Sequence, residues 1–224
     1  MADPNRAAGL VQRLVEEGNH SGYGMMRSVV DTVLRGGAEG AASWAEALEN
    51  DKLRYVAMEQ VAGTMVRRDF ENAVEWAASV ASRPEGAGVV ASVGGAMARN
   101  RPDEAMEWLD SLPDGHGKNQ GVGRAMWQWT ERDAQAASDY LATMDVGTAR
   151  DSAVGAFARR LSGDDPETAV SWAATIGDEK ARIRLLVEAG QQWSRRDPNG
   201  AMEWVLDSGL SEEVQLKILT PEEE

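Results

Sequence analysis

The chain has 224 residues, of which 42% are hydrophobic and 27% are charged, a balance typical of a folded protein rather than a disordered one. Its net charge of −14 argues against nucleic acid or an anionic membrane surface as a partner, since both select basic proteins. Cysteine is absent, so disulfides, thiolate catalysis and thiolate metal sites are excluded.

No apolar run approaches the roughly 18 residues of a membrane span, so we expect no membrane insertion. No basic-then-apolar leader precedes the first predicted helix, so we expect a soluble chain with no secretory signal in this sequence. The compartment stays open between cytoplasmic and exported, because a natural leader can be removed ahead of Met1.

An alanine followed three residues later by an aromatic side chain recurs every 32 residues. The pairs are Ala41/Trp44, Ala73/Trp76, Ala105/Trp108, Ala137/Tyr140, Ala169/Trp172 and Ala201/Trp204, and a weaker copy is Ala7/Leu10. A fixed period of about 20–50 residues indicates a repeat array in which each unit buries its apolar face on its neighbours.

The first helix of each repeat, called helix B here, carries this pair. Most of its starts have an aspartate N-cap, a first-turn proline or both, and Gly37 is the exception. These starts are Asp3-Pro4, Asp69, Arg101-Pro102, Asp133, Asp165-Pro166 and Asp197-Pro198. We expect the aromatic residues to be core, because they follow a strict helical spacing beside alanine.

The second helix, called helix A, follows a turn that contains glycine or proline. Its apolar residues recur in three columns whose spacing makes one buried stripe. The columns are Met26, Met58, Val90, Val122, Val154, Leu186; then Val29, Val61, Val93, Ala125, Phe157, Ala189; then Val33, Met65, Met97, Trp129, Leu161, Trp193.

These patterns predict an all-α fold, an α-solenoid (superhelix) of about seven stacked antiparallel helical hairpins. It opens on a helix B and closes on a helix A within residues 211–220. We expect one helical-repeat domain over residues 1–224, with residues 221–224 as an acidic tail. The repeat cores lie near residues 3–35, 37–67, 69–99, 101–131, 133–163, 165–195 and 197–220.

Residues 68–76 and 100–108 resemble the start of the second helix of a tetratricopeptide repeat, with a turn, a small alanine and an aromatic one helical turn later. Ala189-Gly190 resembles the small pair of that family's first helix. The chain departs from the family in its 32-residue period, in lacking the Trp-x-x-Leu-Gly-x-x-Tyr pattern, and in placing proline at the A–B turn.

The chain is therefore tetratricopeptide-like (TPR-like) over nearly its whole length, and it is also similar to bacterial arrays built on Asp-Pro-x-x-Ala-x-x-Trp units. The resemblance implies a right-handed superhelix whose A helices line a concave groove that holds peptides or proteins.

A binding surface is predicted where the helix A columns vary between repeats. Tryptophan occupies position 127, where the other repeats have Asp31, Gly63, Gly95, Arg159 and Gln191, and an exposed tryptophan is a typical interface anchor. The candidate partner-binding residues are Gln120, Arg124, Trp127 and Gln128 on one helix face, with Arg159 and Arg160 from the next repeat. This mixed aromatic and positive patch suits an acidic or C-terminal peptide segment. An ordinary solvated helix face remains the alternative.

Two ladders of opposite charge share the 32-residue period. The basic ladder is Arg54, Lys118, Arg150 and Arg182, and the acidic ladder is Glu75, Glu107, Asp139 and Glu203. They predict salt bridges between helices, each contributing about 0–1 kcal/mol. The alternative is that they line opposite faces and attract different partners.

The sequence contains no pattern that predicts a catalytic or metal-binding site. His20 and His116 are isolated and lack a partner at metal-ligand spacing, and the glycine-rich segments follow no strand. We expect no catalytic, cofactor or metal site. The favoured function is a non-enzymatic scaffold or adaptor that binds a protein or peptide on the A helices. The alternative is a structural module that self-associates, or stacks end to end in a longer array, through exposed repeat ends.

Overall fold

The computed structural model describes residues 4–16 and 21–220. Every regular element in this part of the chain is helical, which confirms the predicted all-α class. Predictions for Asp3, for the segment that contains His20 and for the tail 221–224 lie outside the described residues. Within residues 4–16 and 21–220, no helix combines the length and the apolar character needed to cross a bilayer.

The described residues form fourteen α-helices, of which the odd-numbered are B helices and the even-numbered are A helices. They are α1 (Pro4–Glu16), α2 (Ser21–Leu34), α3 (Ala38–Glu46), α4 (Asp51–Arg68), α5 (Phe70–Val80), α6 (Ala87–Ala98), α7 (Pro102–Asp110), α8 (His116–Arg132), α9 (Ala134–Thr143), α10 (Thr148–Leu161), α11 (Pro166–Ala173), α12 (Glu179–Arg196), α13 (Pro198–Asp207) and α14 (Glu212–Leu219). From α3 onward the B helices begin at intervals of 32 residues.

Aspartate side chains start the helices where the sequence places them. Asp69, Asp133, Asp165 and Asp197 each accept a hydrogen bond from the backbone N–H three residues later, over 3.0–3.5 Å. Each such cap satisfies a donor that has no partner inside the helix and contributes about 1 kcal/mol. Gly37 starts α3 without a side-chain cap, in a conformation with φ of 121° that favours glycine.

The chain divides into two compact units, Met1–Gly121 and Val122–Glu224, with the boundary inside α8. In the first unit α2 packs on α4 and α4 on α6, and in the second α10 packs on α12 and α12 on α14. B helices pack against the A helices next to them in sequence, as in α5 with α4 and α6. Within each unit, consecutive A helices therefore form a continuous layer.

The core follows the predicted columns. The repeated alanine of helix B is fully buried in all six strict copies. Every member of the first two helix A columns is buried, while in the third Val33, Met97 and Leu161 are half-buried. Small side chains in helix B let the backbones approach closely, and the helix A columns fill the space between.

The aromatic column lies at the edge of the core rather than inside it. Only Trp76 is buried, and the other five members are half-buried. In the second unit Tyr140, Trp172 and Trp204 each lie against a large helix A side chain, with ring centroids 5.1–5.9 Å apart. Large amphipathic rings at this position cover the core while one edge stays in water.

Consecutive B helices are joined by a polar contact in the first unit. The indole nitrogen of Trp76 donates to one oxygen of Glu46 over 2.7 Å, and Arg83 donates to the other over 2.6 Å. One carboxylate of α3 therefore satisfies an indole N–H of α5 and pairs with a guanidinium at the end of that helix.

Replacing Glu46 with alanine should lower the free energy of unfolding by about 1–3 kcal/mol, because it strands the largely buried indole N–H of Trp76. Urea unfolding followed by tryptophan fluorescence measures the change. Glu49→Ala is the matched control, since Glu49 is exposed near the same helix end, and it should shift stability by less than about 0.5 kcal/mol. Equal losses in the two variants would contradict a structural role for the Trp76–Glu46 contact.

Candidate peptide-binding site

The first unit contains a groove of about 640 Å³ beside the start of α4. Pockets for ligands typically span about 300–1,000 Å³. The wall is formed by the first turns of α4, by a 3-10 turn at Pro84–Gly86 and by the first residue of α8. Its lining residues are Asp51, Lys52, Arg54, Tyr55, Val56, Pro84, Glu85 and His116.

Three lining residues occupy one position of the repeat. Lys52, Pro84 and His116 are spaced 32 residues apart, so the groove crosses the region where helix A begins in three successive repeats. The same backbone position thus supplies a cation, an apolar ring and an imidazole. A repeat array produces a varied surface in this way, because only buried columns must stay constant.

Gln120 holds two lining residues of the groove. Its side-chain nitrogen lies 3.0 Å from Nε2 of His116. The two side chains hydrogen-bond to each other through these nitrogen atoms. Gln120 also hydrogen-bonds to Tyr55. The predicted contact residue Gln120 therefore supports the groove by orienting Tyr55 and His116.

Tyr55 remains a hydrogen-bond donor at neutral pH. Burial, followed by repulsion from Glu59, raises the pKa of the Tyr55 hydroxyl, and the hydrogen bond from Gln120 offsets part of this rise. Gly88 in α6 lies close to this side chain, because a Cβ atom there would be 3.2 Å from Glu59 Cβ and 3.4 Å from the Tyr55 ring. The tyrosine is held between α4, α6 and Gln120.

Arg54 forms ion pairs with both acidic residues of the groove. Its guanidinium pairs with Asp51 and donates to the carbonyl oxygen of Leu48 over 2.7 Å. Its Nε lies 3.7 Å from a Glu85 oxygen, too far for a hydrogen bond, and this buried N–H has no acceptor among the described residues. The two carboxylates of the groove are consequently already engaged by Arg54.

The other predicted contact residues belong to the second unit. Arg124 is exposed and makes no ion pair among the described residues, whereas Trp127 and Gln128 are half-buried. The tryptophan at position 127 thus buries much of its ring instead of standing free. Trp129 is 5% exposed and packs on Tyr140, as predicted for a core residue.

Arg159 and Arg160 are engaged by acidic side chains of their own unit. Arg159 lies 3.3 Å from a Glu188 oxygen and also donates to the carbonyl of Gly155, and Arg160 lies 3.2 Å from Asp164. These pairs reduce the positive charge that the sequence predicts for this surface. Of the cations predicted to contact a partner, only Arg124 is therefore uncompensated.

The basic ladder makes different contacts from those predicted. Each member donates to a carbonyl at the last residue of a B helix or within three residues after it, and no contact between the described residues of the two ladders is present, so the predicted pairing is wrong. Helix-end carbonyls lack intrahelical partners and carry the negative end of the helix dipole, so they attract cations. The contacts are Arg54 to Leu48, Lys118 to Asp110, Arg150 to Thr175 and Arg182 to Ile176, over 2.7–3.1 Å.

Lys118 is the most deeply buried cation of this ladder, with only 8% of its surface exposed. Burial lowers the pKa of Lys118, but hydrogen bonds to Asp110 and Asp114, and their charges, outweigh burial and leave the pKa raised. Lys118 therefore stays charged and ties the end of α7 to the start of α8.

The sequence analysis did not predict the groove, because Tyr55 and Lys52 lie outside the helix A columns that were compared. One signal for it is present in the sequence. The column that contains Tyr55 varies between repeats, with Ala87, Asn119, Asp151 and Ile183 in the later ones. Among the described residues, no three histidine, aspartate or glutamate side chains cluster as a metal site.

Comparison with family models, with curated proteins and with solved structures finds no match for this chain. The tetratricopeptide-like resemblance consequently rests on the residues that carry it.

Proposed function

We propose that the protein is a non-enzymatic scaffold that binds a protein or peptide on its A helices, arranged as a tetratricopeptide-like solenoid of about seven stacked hairpins. The 32-residue spacing of the B helices and the packing of consecutive A helices within each unit support this arrangement. The observation that carries the binding function is the groove beside α4.

The chemistry of the groove favours an acidic or C-terminal peptide segment with an apolar side chain. The donors that line the groove are the hydroxyl of Tyr55 and the ammonium of Lys52, and the imidazole of His116 lines it as well. Donors without acceptors select carboxylate oxygens. Val56, Pro84 and the Tyr55 ring supply the apolar wall for a neighbouring side chain.

A synthetic peptide array tests the proposal. Each sequence combines acidic and aliphatic residues and is made with a free and with an amidated C-terminus, and the best binder is labelled for fluorescence anisotropy. Lys52→Gln should raise its Kd about tenfold, since a charge-assisted hydrogen bond is lost. Tyr55→Phe should weaken binding several-fold, because the ring remains and only the donor is removed.

Lys180→Gln is the matched control for Lys52→Gln. Lys180 occupies the same repeat position in α12 of the second unit, and it is exposed. Its replacement should leave Kd unchanged. Equal shifts at positions 52 and 180 would reveal nonspecific charge attraction and contradict the groove assignment, as would an array without any saturable binder.

The predicted surface of the second unit is tested with the same peptide. The double variant Trp127→Ala/Arg124→Glu removes the half-buried aromatic and reverses the uncompensated charge, and it should weaken binding of an acidic peptide. An unchanged Kd in this variant, together with a loss in Lys52→Gln, would restrict binding to the groove of the first unit.

A further inference from the structure

The ion pair between Arg54 and Asp51 joins two residues of very different exposure. The side chain of Arg54 is 22% exposed, whereas that of Asp51 is 88% exposed. Both residues line the groove beside α4. The carboxylate of Asp51 contacts the Nη2 atom of the guanidinium while it remains in water. This end of Arg54 is therefore accessible to a carboxylate that comes from solvent.

Two contacts other than Asp51 hold the guanidinium of Arg54. The Nη1 atom donates to the carbonyl oxygen of Leu48 over 2.7 Å. On the other side, Nε lies 3.7 Å from a carboxylate oxygen of Glu85 in the 3-10 turn. Removal of the Asp51 carboxylate should consequently leave Arg54 in place, with Nη2 free to donate.

The same arrangement of residues in the second unit produces no ion pair. Glu179 and Arg182 occupy the positions of Asp51 and Arg54 four repeats later, at the start of α12. Arg182 donates to the carbonyl oxygen of Ile176 over 2.8 Å, and it forms no ion pair with Glu179 in the described part of the chain. Both repeats thus share the helix-end carbonyl contact, whereas the contact with a carboxylate belongs to the groove.

A ligand carboxylate at the place of the Asp51 carboxylate has additional partners. Exposed ion pairs of this kind are weak, because water solvates the exposed partner and salt screens the charges. Tyr55 lies one helical turn after Asp51, so the two side chains are neighbours on α4, and the ammonium of Lys52 lines the same groove. A ligand can therefore contact Arg54 together with these two donors.

We propose that Arg54 receives the carboxylate of the bound peptide, and that Asp51 holds this place in the free protein. Asp51 is then an intramolecular competitor of the ligand. Two cationic and two acidic side chains line the groove, so the charge of Asp51 also reduces its attraction for an acidic peptide. The inference rests on the proposed peptide binding and adds to it the residue that recognises the carboxylate.

Asp51→Asn tests the competition with the acidic peptide selected from the array. Fluorescence anisotropy at low salt should show a Kd about two- to fivefold lower than that of the wild type, because a weak competing pair and one negative charge are removed. The substitution should not improve binding of a control peptide in which amides replace every carboxylate. This control peptide distinguishes recognition of a carboxylate from a general gain in affinity.

Glu179→Gln is the matched control for Asp51→Asn. Each of the two acids is exposed and is the first residue of its helix, so both variants lose the same favourable interaction with a helix N-terminus. Both also change the net charge of the protein by one unit. Glu179→Gln should nevertheless leave the peptide Kd unchanged, since it does not line the groove.

Arg54→Gln separates displacement of Asp51 from a general change in charge. It should raise the peptide Kd about tenfold, and Asp51→Asn should give no gain in affinity when it is added to this variant. Arg54→Lys is a second lesion that keeps the charge, and Lys118 shows that a lysine makes the same carbonyl contact in its own repeat. It should likewise abolish the gain, and circular dichroism confirms that each variant folds.

The outcomes distinguish this inference from the proposed function. Equal gains in Asp51→Asn and Glu179→Gln, or a gain that persists without Arg54, would overturn the inference and leave peptide binding intact. Weaker binding in Lys52→Gln together with an unchanged Kd in Asp51→Asn would also support the proposed function and overturn the role of Asp51. An array without a saturable binder for either the wild type or Asp51→Asn would overturn both.

Discussion

Phe157→Ala is expected to lower the free energy of unfolding of the second unit by about 3–5 kcal/mol. Phe157 in α10 is 1% exposed and is the largest fully buried side chain among the described residues. Its ring meets the edge of Trp172 from α11, with centroids 5.7 Å apart. The substitution removes the apolar area, this aromatic contact and the packing of the α10–α11 interface together.

The chain offers a matched control in its only other phenylalanine. Phe70 begins α5, is half-buried, and lies 6.0 Å from the Arg101 guanidinium. Phe70→Ala should cost about 1 kcal/mol, since less area is lost and no closed cavity forms. Chemical unfolding followed by circular dichroism compares the two variants. Equal losses, or a larger loss at position 70, would contradict the assignment of Phe157 to the centre of the second unit's core.

The periodic features of this fold were predictable because repetition makes them redundant. A single Asp-x-x-x-Ala segment is weak evidence for a helix start. Asp69, Asp133, Asp165 and Asp197 at a constant interval identify a helix N-terminus, and all four caps form. The buried alanine and the helix A columns were predictable for the same reason. A position that must be apolar in every repeat appears several times in the sequence, and each copy supports the assignment.

The partners of the charged ladders were not predictable from spacing. A long cation at the start of helix A reaches several acceptors at similar distances, and the period does not distinguish among them. The structure shows that helix-end carbonyls are chosen, as in Arg182 to Ile176. These carbonyls are fixed in place and need a donor, and the carboxylates that Arg54 and Lys118 also contact are nearby aspartates that do not belong to the acidic ladder.

The groove was beyond sequence reasoning because it depends on features that do not repeat. Tyr55, Pro84 and His116 come from three different repeats and differ in chemistry. Their proximity depends on the 3-10 turn between α5 and α6, a turn type found nowhere else among the described residues. Trp127 shows that variation within a column is also an incomplete guide. The variation at this position predicted an exposed side chain, but the ring is half-buried in the structure.

That 3-10 turn also accounts for the second large effect, expected from Gly86→Ala. A Cβ atom at position 86 would overlap the carbonyl oxygen of Val80 and lie 2.8 Å from its carbonyl carbon and 2.9 Å from its Cβ. Gly86 has a φ of −76°, which alanine adopts readily, so the cost comes from this overlap alone. Because backbone atoms at the end of α5 must move, the first unit should lose about 3 kcal/mol of stability.

Gly63→Ala makes the same chemical change in the interior of α4, where nothing lies within 4 Å of the added carbon. It should raise stability by about 0.5–1 kcal/mol, because alanine loses less backbone entropy than glycine in a helix. The two variants therefore shift the unfolding midpoint in opposite directions. Displacement of the turn also moves Pro84 and Glu85 in the wall of the groove, so Gly86→Ala should weaken peptide binding while Gly63→Ala preserves it. Shifts of the same sign in the two variants would contradict the close approach of the turn to α5.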